Sequence, residues 1–186
     1  MLELSRRIPY RTWPSASAVL LAITCYVGGL TFWDRHEPGS RPLAAGETLT
    51  VGHARFVVAD GWQMDVSRSK AGQSLMLFKG GHKFLVTTAD WNGGPDGPMV
   101  RQRRLMEHGQ GLRVDGEVSK FVNSWGLEGK TFAYYGPKLT GRFWQVVDRP
   151  RRSVVQVDFY GSSDGLSEAP EEANSMIDGM DLEAPA

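Results

Sequence analysis

The residues with the clearest potential for chemistry lie in segment 90–96, where carboxylates and an amide alternate with glycines. Asp90, Asn92 and Asp96 offer oxygen atoms, which are the ligands that calcium prefers. Their spacing is not that of an EF-hand, and the distal glutamate of such a loop is missing. The segment is therefore more typical of a plain loop that leads into a helix, and we predict no metal site here.

Histidine and cysteine are too dispersed to suggest a metal or a nucleophile. The four histidines are far apart in the sequence, and the one cysteine, Cys25, lies in an apolar run. No pair has the spacing of a zinc site, and the chain lacks a G-x-S-x-G elbow, a P-loop and a dinucleotide fingerprint. We predict no cofactor and a protein that is not an enzyme. The alternative is a hydrolase whose site unites His82, Asp90 and Asp96 in one cleft.

Two basic clusters and one tryptophan are the candidate partner-binding residues. A run of arginines falls in a predicted helix, a second run flanks a predicted turn, and the tryptophan opens the loop described above. Solvated charge is the ordinary role of such clusters, and contact with an anionic envelope component or partner is the functional alternative. The candidates are Trp91, Arg101, Arg103, Arg104, Arg149, Arg151 and Arg152.

The composition indicates a folded domain without affinity for nucleic acid. The formal net charge is zero, and the pI is near 6.9, so nucleic-acid binding has no electrostatic basis. Hydrophobic residues make up 41% of the chain and charged residues 23%, which is typical of a globular protein. Trp62, Trp125 and Trp144 are predicted core residues.

The segment 15–33 contains no charged residue and predicts a transmembrane helix. At 1.5 Å per residue it covers roughly 28 Å, close to the hydrocarbon thickness of a bilayer. Arg6, Arg7 and Arg11 precede it, and a balanced segment follows, so the N-terminus is predicted to be cytoplasmic. A cleaved signal peptide and a lipoprotein anchored at Cys25 are the competing hypotheses.

The predicted organisation has five parts. These are a cytoplasmic segment 1–14, the transmembrane helix 15–33, a linker 34–47 rich in proline and glycine, an extracytoplasmic domain 48–181 and a tail 182–186. The protein would then be a single-pass protein of the cell membrane. Its partners would be the lipid bilayer and another membrane or envelope protein.

Strands dominate the predicted domain. The runs 48–51 and 55–58 flank a tight turn at Gly52-His53, and 74–78 and 83–88 form a second pair. The chain is expected to turn at 60–64. Four further strands are predicted at 118–122, 130–135, 142–147 and 153–160, all in a single antiparallel sheet. Alternation in the last strand gives it an apolar face with Val155 and Val157 and a wet face with Asp158.

Two helices are predicted to pack on this sheet. The first covers 99–110, and the second begins at Pro170. In the second, Ala173, Met176, Ile177 and Met180 recur at helical spacing and should face the core. The fold class is therefore α+β, with an antiparallel sheet and two packing helices behind the transmembrane helix.

The segment 55–62, RFVVADGW, joins an apolar strand to Gly-Trp. It resembles the start of PsbP-like domains and of the actinobacterial lipoprotein LpqN family, where a similar strand leads to Pro-x-Gly-Trp, although the proline is absent here. The order of strands and helices over 48–181 is also similar. The resemblance implies an accessory or binding protein without enzymatic activity.

These observations predict a membrane-anchored, extracytoplasmic binding or scaffolding subunit of a bacterial cell envelope. One alternative is an envelope hydrolase with a site assembled from distant residues. Another is an accessory subunit that acts through its transmembrane helix, where Gly28 and Gly29 would permit close packing.

Overall fold

The computed structural model describes residues 13–36, 39–94, 96–109, 111–162 and 168–182. These residues belong to two compact units, 1–38 and 39–186. Most of the predicted cytoplasmic segment 1–14 and most of the tail 182–186 lie outside the described residues. The predicted extracytoplasmic domain falls in the second unit.

The first unit contains one helix, α1 (Trp13–His36), at the position of the predicted transmembrane segment. Its large apolar side chains between 17 and 28 are exposed to solvent. They are Val19, Leu20, Leu21, Ile23, Tyr26 and Val27. Within the described residues, no helix has the combined length and apolarity needed to cross a membrane.

The described part of the second unit contains eleven strands and two α-helices. The strands are β1 (Ser40–Pro42), β2 (Thr48–Val51), β3 (Ala54–Val57), β4 (Gln63–Lys70), β5 (Ser74–Lys79), β6 (His82–Asp90), β7 (Arg113–Val122), β8 (Glu128–Tyr135), β9 (Leu139–Asp148), β10 (Ser153–Ser162) and β11 (Asp181–Leu182). The helices are α2 (Gly97–Arg104), which continues as a π-helical turn Leu105–Gly109, and α3 (Ala169–Asp178).

The strands form two antiparallel sheets, so the prediction of a single sheet is wrong. Eight strands pair in the order β1-β4-β5-β6-β10-β9-β8-β7, and a smaller sheet has the order β11-β3-β2. A two-stranded hairpin alone is marginally stable in water. Pairing of Asp181 and Leu182 with β3 adds a third strand to the predicted β2–β3 hairpin.

Three strands differ from the prediction because their sequences are short or polar. β1 lies inside the predicted linker and pairs with β4, and Leu43 after it is buried. β4 begins inside the predicted turn at Gln63, and β11 includes the start of the predicted tail. Pro42 is tolerated in β1 because an edge strand needs backbone hydrogen bonds on one side only.

One face of the large sheet packs against α3 and the small sheet. Val155 and Val157 of β10 meet the helical stripe of Ala173, Met176 and Ile177, as the spacing predicts. Trp62 is fully buried in this core, and its indole N–H donates to Glu172 Oε2 at 2.8 Å. Trp144 is buried as well, so two of the three tryptophans predicted as core residues are confirmed.

The opposite face, which the sequence predicts to be wet, is partly covered. The predicted helix over 99–110 forms as α2 and the π-helical turn, and Met99 and Met106 on it pack over Phe132, Tyr134 and Phe143 of the sheet. This second core reduces the exposure of Asp158, which the alternation pattern assigned to solvent. Two apolar layers therefore hold the sheet from both sides.

We expect Gly161→Ala to destabilise the domain. A Cβ at this position in β10 would lie 2.2 Å from Cδ2 of His82, which is buried and stacked on Phe159. Moving a stacked, buried ring costs about 1–3 kcal/mol, which a urea titration can measure. Gly94→Ala is the control, because nothing lies within 4 Å of a Cβ there. Equal stability of the two variants would contradict the prediction.

Candidate functional site

Several connections lie together at one end of the large sheet, here called the hairpin end. The register aligns Ser153 with Asp148 on β9 and with Asp90 on β6, so residues 149–152 neighbour the loop 91–96. The β7–β8 connection, 123–127, and the β4–β5 connection, 71–73, lie at the same end because antiparallel strands alternate in direction. Residues remote in sequence meet here.

A cleft at the hairpin end brings together three of the predicted partner-binding residues. Trp91, Arg149 and Arg152 line it together with Asn92, Gly93 and Val147, and we call it the hairpin cleft. The backbone N–H of Trp91 donates to the carbonyl of Arg152 at 2.6 Å. This bond joins the loop to the β9–β10 hairpin and fixes the two walls of the cleft relative to each other.

Trp91 is held by its own loop. Its indole N–H donates to the Gly94 carbonyl at 2.9 Å, and a Cβ on Gly93 or Gly97 would lie 2.5 or 2.6 Å from Cζ2 of the ring. Only glycine allows the backbone to approach the ring this closely. The glycines of this segment therefore allow the indole to lie against the backbone of its own loop.

Arg152 has an unusual backbone. Among the described residues it is the one non-glycine with positive φ, at 51°. The left-handed conformation costs a residue with a Cβ roughly 1–2 kcal/mol. The turn is thus less stable than a glycine or asparagine there would make it, and strain of this kind is found more often at functional positions than elsewhere.

A groove adjoins the hairpin cleft and adds cations to it. Lys120, Lys130, Gln145 and Arg149 line this groove, and Lys130 is paired with Asp96. Within the described chain, Lys120, Arg149 and Arg152 have no ion pair. The surface therefore carries three cations without an ion pair, and Glu128 is the unpaired acid that lines the same groove.

Arg151 points away from this surface. Its guanidinium pairs with the buried Asp148, which also lies 3.7 Å from Nε2 of His53, and His53 Nε2 is 3.1 Å from Ser153 Oγ. These are the residue types of a catalytic triad, but one imidazole nitrogen faces both partners, whereas a triad needs one nitrogen for each. His53 in the β2–β3 turn is partly buried and links this turn to the β9–β10 hairpin.

The arginines of α2 do not join the hairpin cleft. Arg103 is paired with Glu107 at 3.0 Å. Arg101 and Arg104 line a shallow depression beside the exposed side chains of Val100 and Leu105. The predicted binding residues therefore separate into Trp91, Arg149 and Arg152 in one place and two α2 arginines in another.

The residues required by the hydrolase hypothesis are dispersed. His82 and Asp90 begin and end β6, so about 26 Å separates them at 3.3 Å per residue. Asp96 pairs with Lys130 in the groove. In the described residues, no group of three or more His, Cys, Asp or Glu side chains is placed to hold a metal ion. The geometry does not favour this hypothesis.

Asp158 and Tyr134 form a partly buried, hydrogen-bonded pair that the sequence did not predict. Asp158 Oδ1 accepts a hydrogen bond from the Tyr134 hydroxyl at 2.6 Å, under the second core. Burial raises the pKa of Asp158 to about 6, although the Tyr134 hydrogen bond opposes this. Burial and the neighbouring Asp158 also raise the pKa of the Tyr134 hydroxyl. Alternation alone cannot show that a helix covers this face.

Comparisons with known proteins relate the chain to others by fold rather than by sequence. No family model and no curated protein sequence matches it. The solution structure of cyanobacterial PsbP (CyanoP) from Synechocystis sp. PCC 6803 is similar over 75% of this chain and 94% of that chain, with a TM-score of 0.55 and 12% identity. A crystal structure from Bacteroides thetaiotaomicron VPI-5482 covers 76% of this chain and 50% of its own, with a TM-score of 0.43 and 12% identity. The second unit thus has a fold like that of cyanobacterial PsbP.

Proposed function

We propose that this protein is a membrane-anchored, extracytoplasmic binding or scaffolding subunit of a bacterial cell envelope, and that its hairpin cleft contacts an anionic component of that envelope. The observation that carries the proposal is the meeting of Trp91, Arg149 and Arg152 in one cleft, where neither arginine forms an ion pair with another described residue. We also propose that the domain is related to the LpqN family, which the segment 55–62 resembles.

The charge distribution supports a specific contact rather than general solvation. The whole chain has no net charge, and the segment 1–33 holds three arginines against one glutamate. The remainder therefore has a formal charge of about −2, yet the cleft and groove present unpaired cations. Unpaired positive charge on a domain of negative net charge attracts anionic partners to one surface.

Anchoring by α1 rests on the sequence and on the exposure of its apolar side chains. Three arginines and one glutamate precede the uncharged run 15–33, whereas the charges of the following segment 34–37 are balanced. A helix that is apolar all round needs either a protein core or a lipid environment. Tethering would raise the local concentration of the domain near envelope partners.

In-cell crosslinking of the full chain tests this proposal. We expect Arg149→Glu with Arg152→Glu to reduce capture of the partner at least tenfold, because each reversal replaces attraction with repulsion. Arg113→Glu with Arg142→Glu changes the charge equally at exposed positions outside the cleft and should leave capture unchanged. Equal capture by the two double variants would refute the role of the cleft.

A second form of the protein, which lacks residues 1–33 and is exported by a removable signal, tests whether the domain or the helix carries recognition. Capture of the same partner by both forms would show that the domain carries recognition. Capture by the full chain alone would favour the accessory role of the helix and would contradict the proposal. Both outcomes can be scored by mass spectrometry of the crosslinked material.

A further inference from the structure

The end of β7 and the β7–β8 connection present two large apolar side chains to solvent at the hairpin end. Trp125 is 66% exposed and Val122 is 64% exposed, the two highest values among the described large apolar residues of the second unit. Trp125 therefore differs from Trp62 and Trp144, and its predicted place in the core is wrong. Exposed tryptophan on an otherwise well-packed domain indicates a contact surface.

The tip that carries Trp125 is tightly held. Asn123 Oδ1 accepts hydrogen bonds from the backbone N–H groups of Trp125 and Leu127, at 3.1 and 2.8 Å. The backbone N–H of Ser124 donates to Asp178 at 3.0 Å. A side chain on such a tip loses little conformational entropy when it is buried by a partner.

Unpaired cations lie at the same end of the sheet as Trp125. Lys70, Lys120, Arg149 and Arg152 are exposed at the hairpin end and have no ion pair in the described residues. The acids there without an ion pair are Asp90, Glu128 and Asp178, since Asp96 and Asp148 are paired with cations. Four unpaired cations against three unpaired acids leave a net positive charge at the hairpin end.

We infer that the anionic component in the proposed function is the lipid headgroup layer of the bilayer, with Trp125 and Val122 inserted at the interface and Arg149 and Arg152 on the headgroups. This inference rests on the proposed function and names its partner. Tryptophan prefers the headgroup level of a membrane, and each cation near an anionic leaflet strengthens binding roughly fivefold.

The test uses the full chain with Cys25→Ala and one new cysteine that carries an environment-sensitive fluorophore. Val122→Cys reports on the hairpin end, and Tyr135→Cys, 43% exposed at the opposite end of β8, is the control. The protein is reconstituted into phosphatidylcholine vesicles with or without phosphatidylglycerol. We expect a blue shift and quenching by brominated lipid at 122, only in the anionic vesicles, and neither at 135.

Arg149→Glu with Arg152→Glu should lower the fraction of protein with its hairpin end on the anionic membrane at least tenfold, because each cation strengthens binding roughly fivefold. Identical emission at 122 in both vesicle types, or an equal shift at 135, would overturn the inference.

The crosslinking experiment separates the two proposals. If the charge reversals abolish capture of an envelope protein while vesicles leave 122 unchanged, the cleft binds protein and only the lipid assignment fails. If the reversals affect neither experiment, both proposals fail.

Discussion

Asn123→Asp is expected to lower the free energy of unfolding by about 3–5 kcal/mol, because it places an oxygen against two carbonyls in a buried position. The Asn123 Nδ2 donates to the carbonyls of Ile177 and Met180 at 3.1 and 2.6 Å. Aspartate retains the acceptor for Trp125 and Leu127 but has no donor when ionised. A protonated aspartate has one donor for two carbonyls.

Chemical denaturation at neutral pH measures this effect. Asn174→Asp is the matched control, because Asn174 is exposed on α3 and the same change there alters only surface charge. The loss should exceed that of the control several-fold. A cost under about 1 kcal/mol, the usual range for surface substitutions, would show that the network around Asn123 is dispensable.

Replacing Asp158 with asparagine should stabilise the domain by up to about 3 kcal/mol at pH 8, since a pKa shift of one unit corresponds to about 1.36 kcal/mol. Burial raises the pKa of Asp158 to about 6 in the folded protein, against about 3.9 when unfolded. The folded state therefore binds the proton more tightly. The resulting stabilisation is complete below the unfolded pKa and is lost as pH rises through the folded pKa.

Urea titrations of both proteins between pH 4 and pH 8 test this sign. The advantage of Asp158→Asn should narrow to under about 1 kcal/mol at pH 4, where the wild-type carboxyl is already protonated. Asp115→Asn, at an exposed position on β7, controls for loss of a surface charge. An advantage of equal size at both ends of this range would show that protonation of Asp158 is not the cause.

Local patterns predicted the elements that have strong periodicity. The stripe from Ala173 to Met180 identified α3 and its buried face, and alternation of β-branched residues identified β10. The pattern failed for β4, whose sequence QMDVSRSK contains five polar residues after Gln63 and lacks an apolar alternation. It also failed for β1 and β11, because two or three residues show no period.

The sequence predicted which residues belong to the candidate site but not how they lie relative to one another. Residue type singled out Trp91, Arg149 and Arg152, but their meeting depends on the pairing of Asp90 with Ser153, which are far apart in the sequence. Arg151, which the sequence placed in the same candidate set, does not join the cleft, because its guanidinium pairs with the buried carboxylate of Asp148. Exposure of Trp125 likewise depends on its place at a tip rather than on its type.

The pairing of β11 with β3 joins segments from the two ends of the second unit's sequence. Asp181 and Leu182 complete a sheet whose other strands lie at 48–57, so this part of the fold cannot form until the whole domain sequence is available. A domain synthesised from its N-terminus would hold its first hairpin without a third strand until Asp181 and Leu182 are made. Removal of these two residues should leave one edge of β3 unpaired, so the hairpin 48–57 and residues 181–182 are expected to become ordered together.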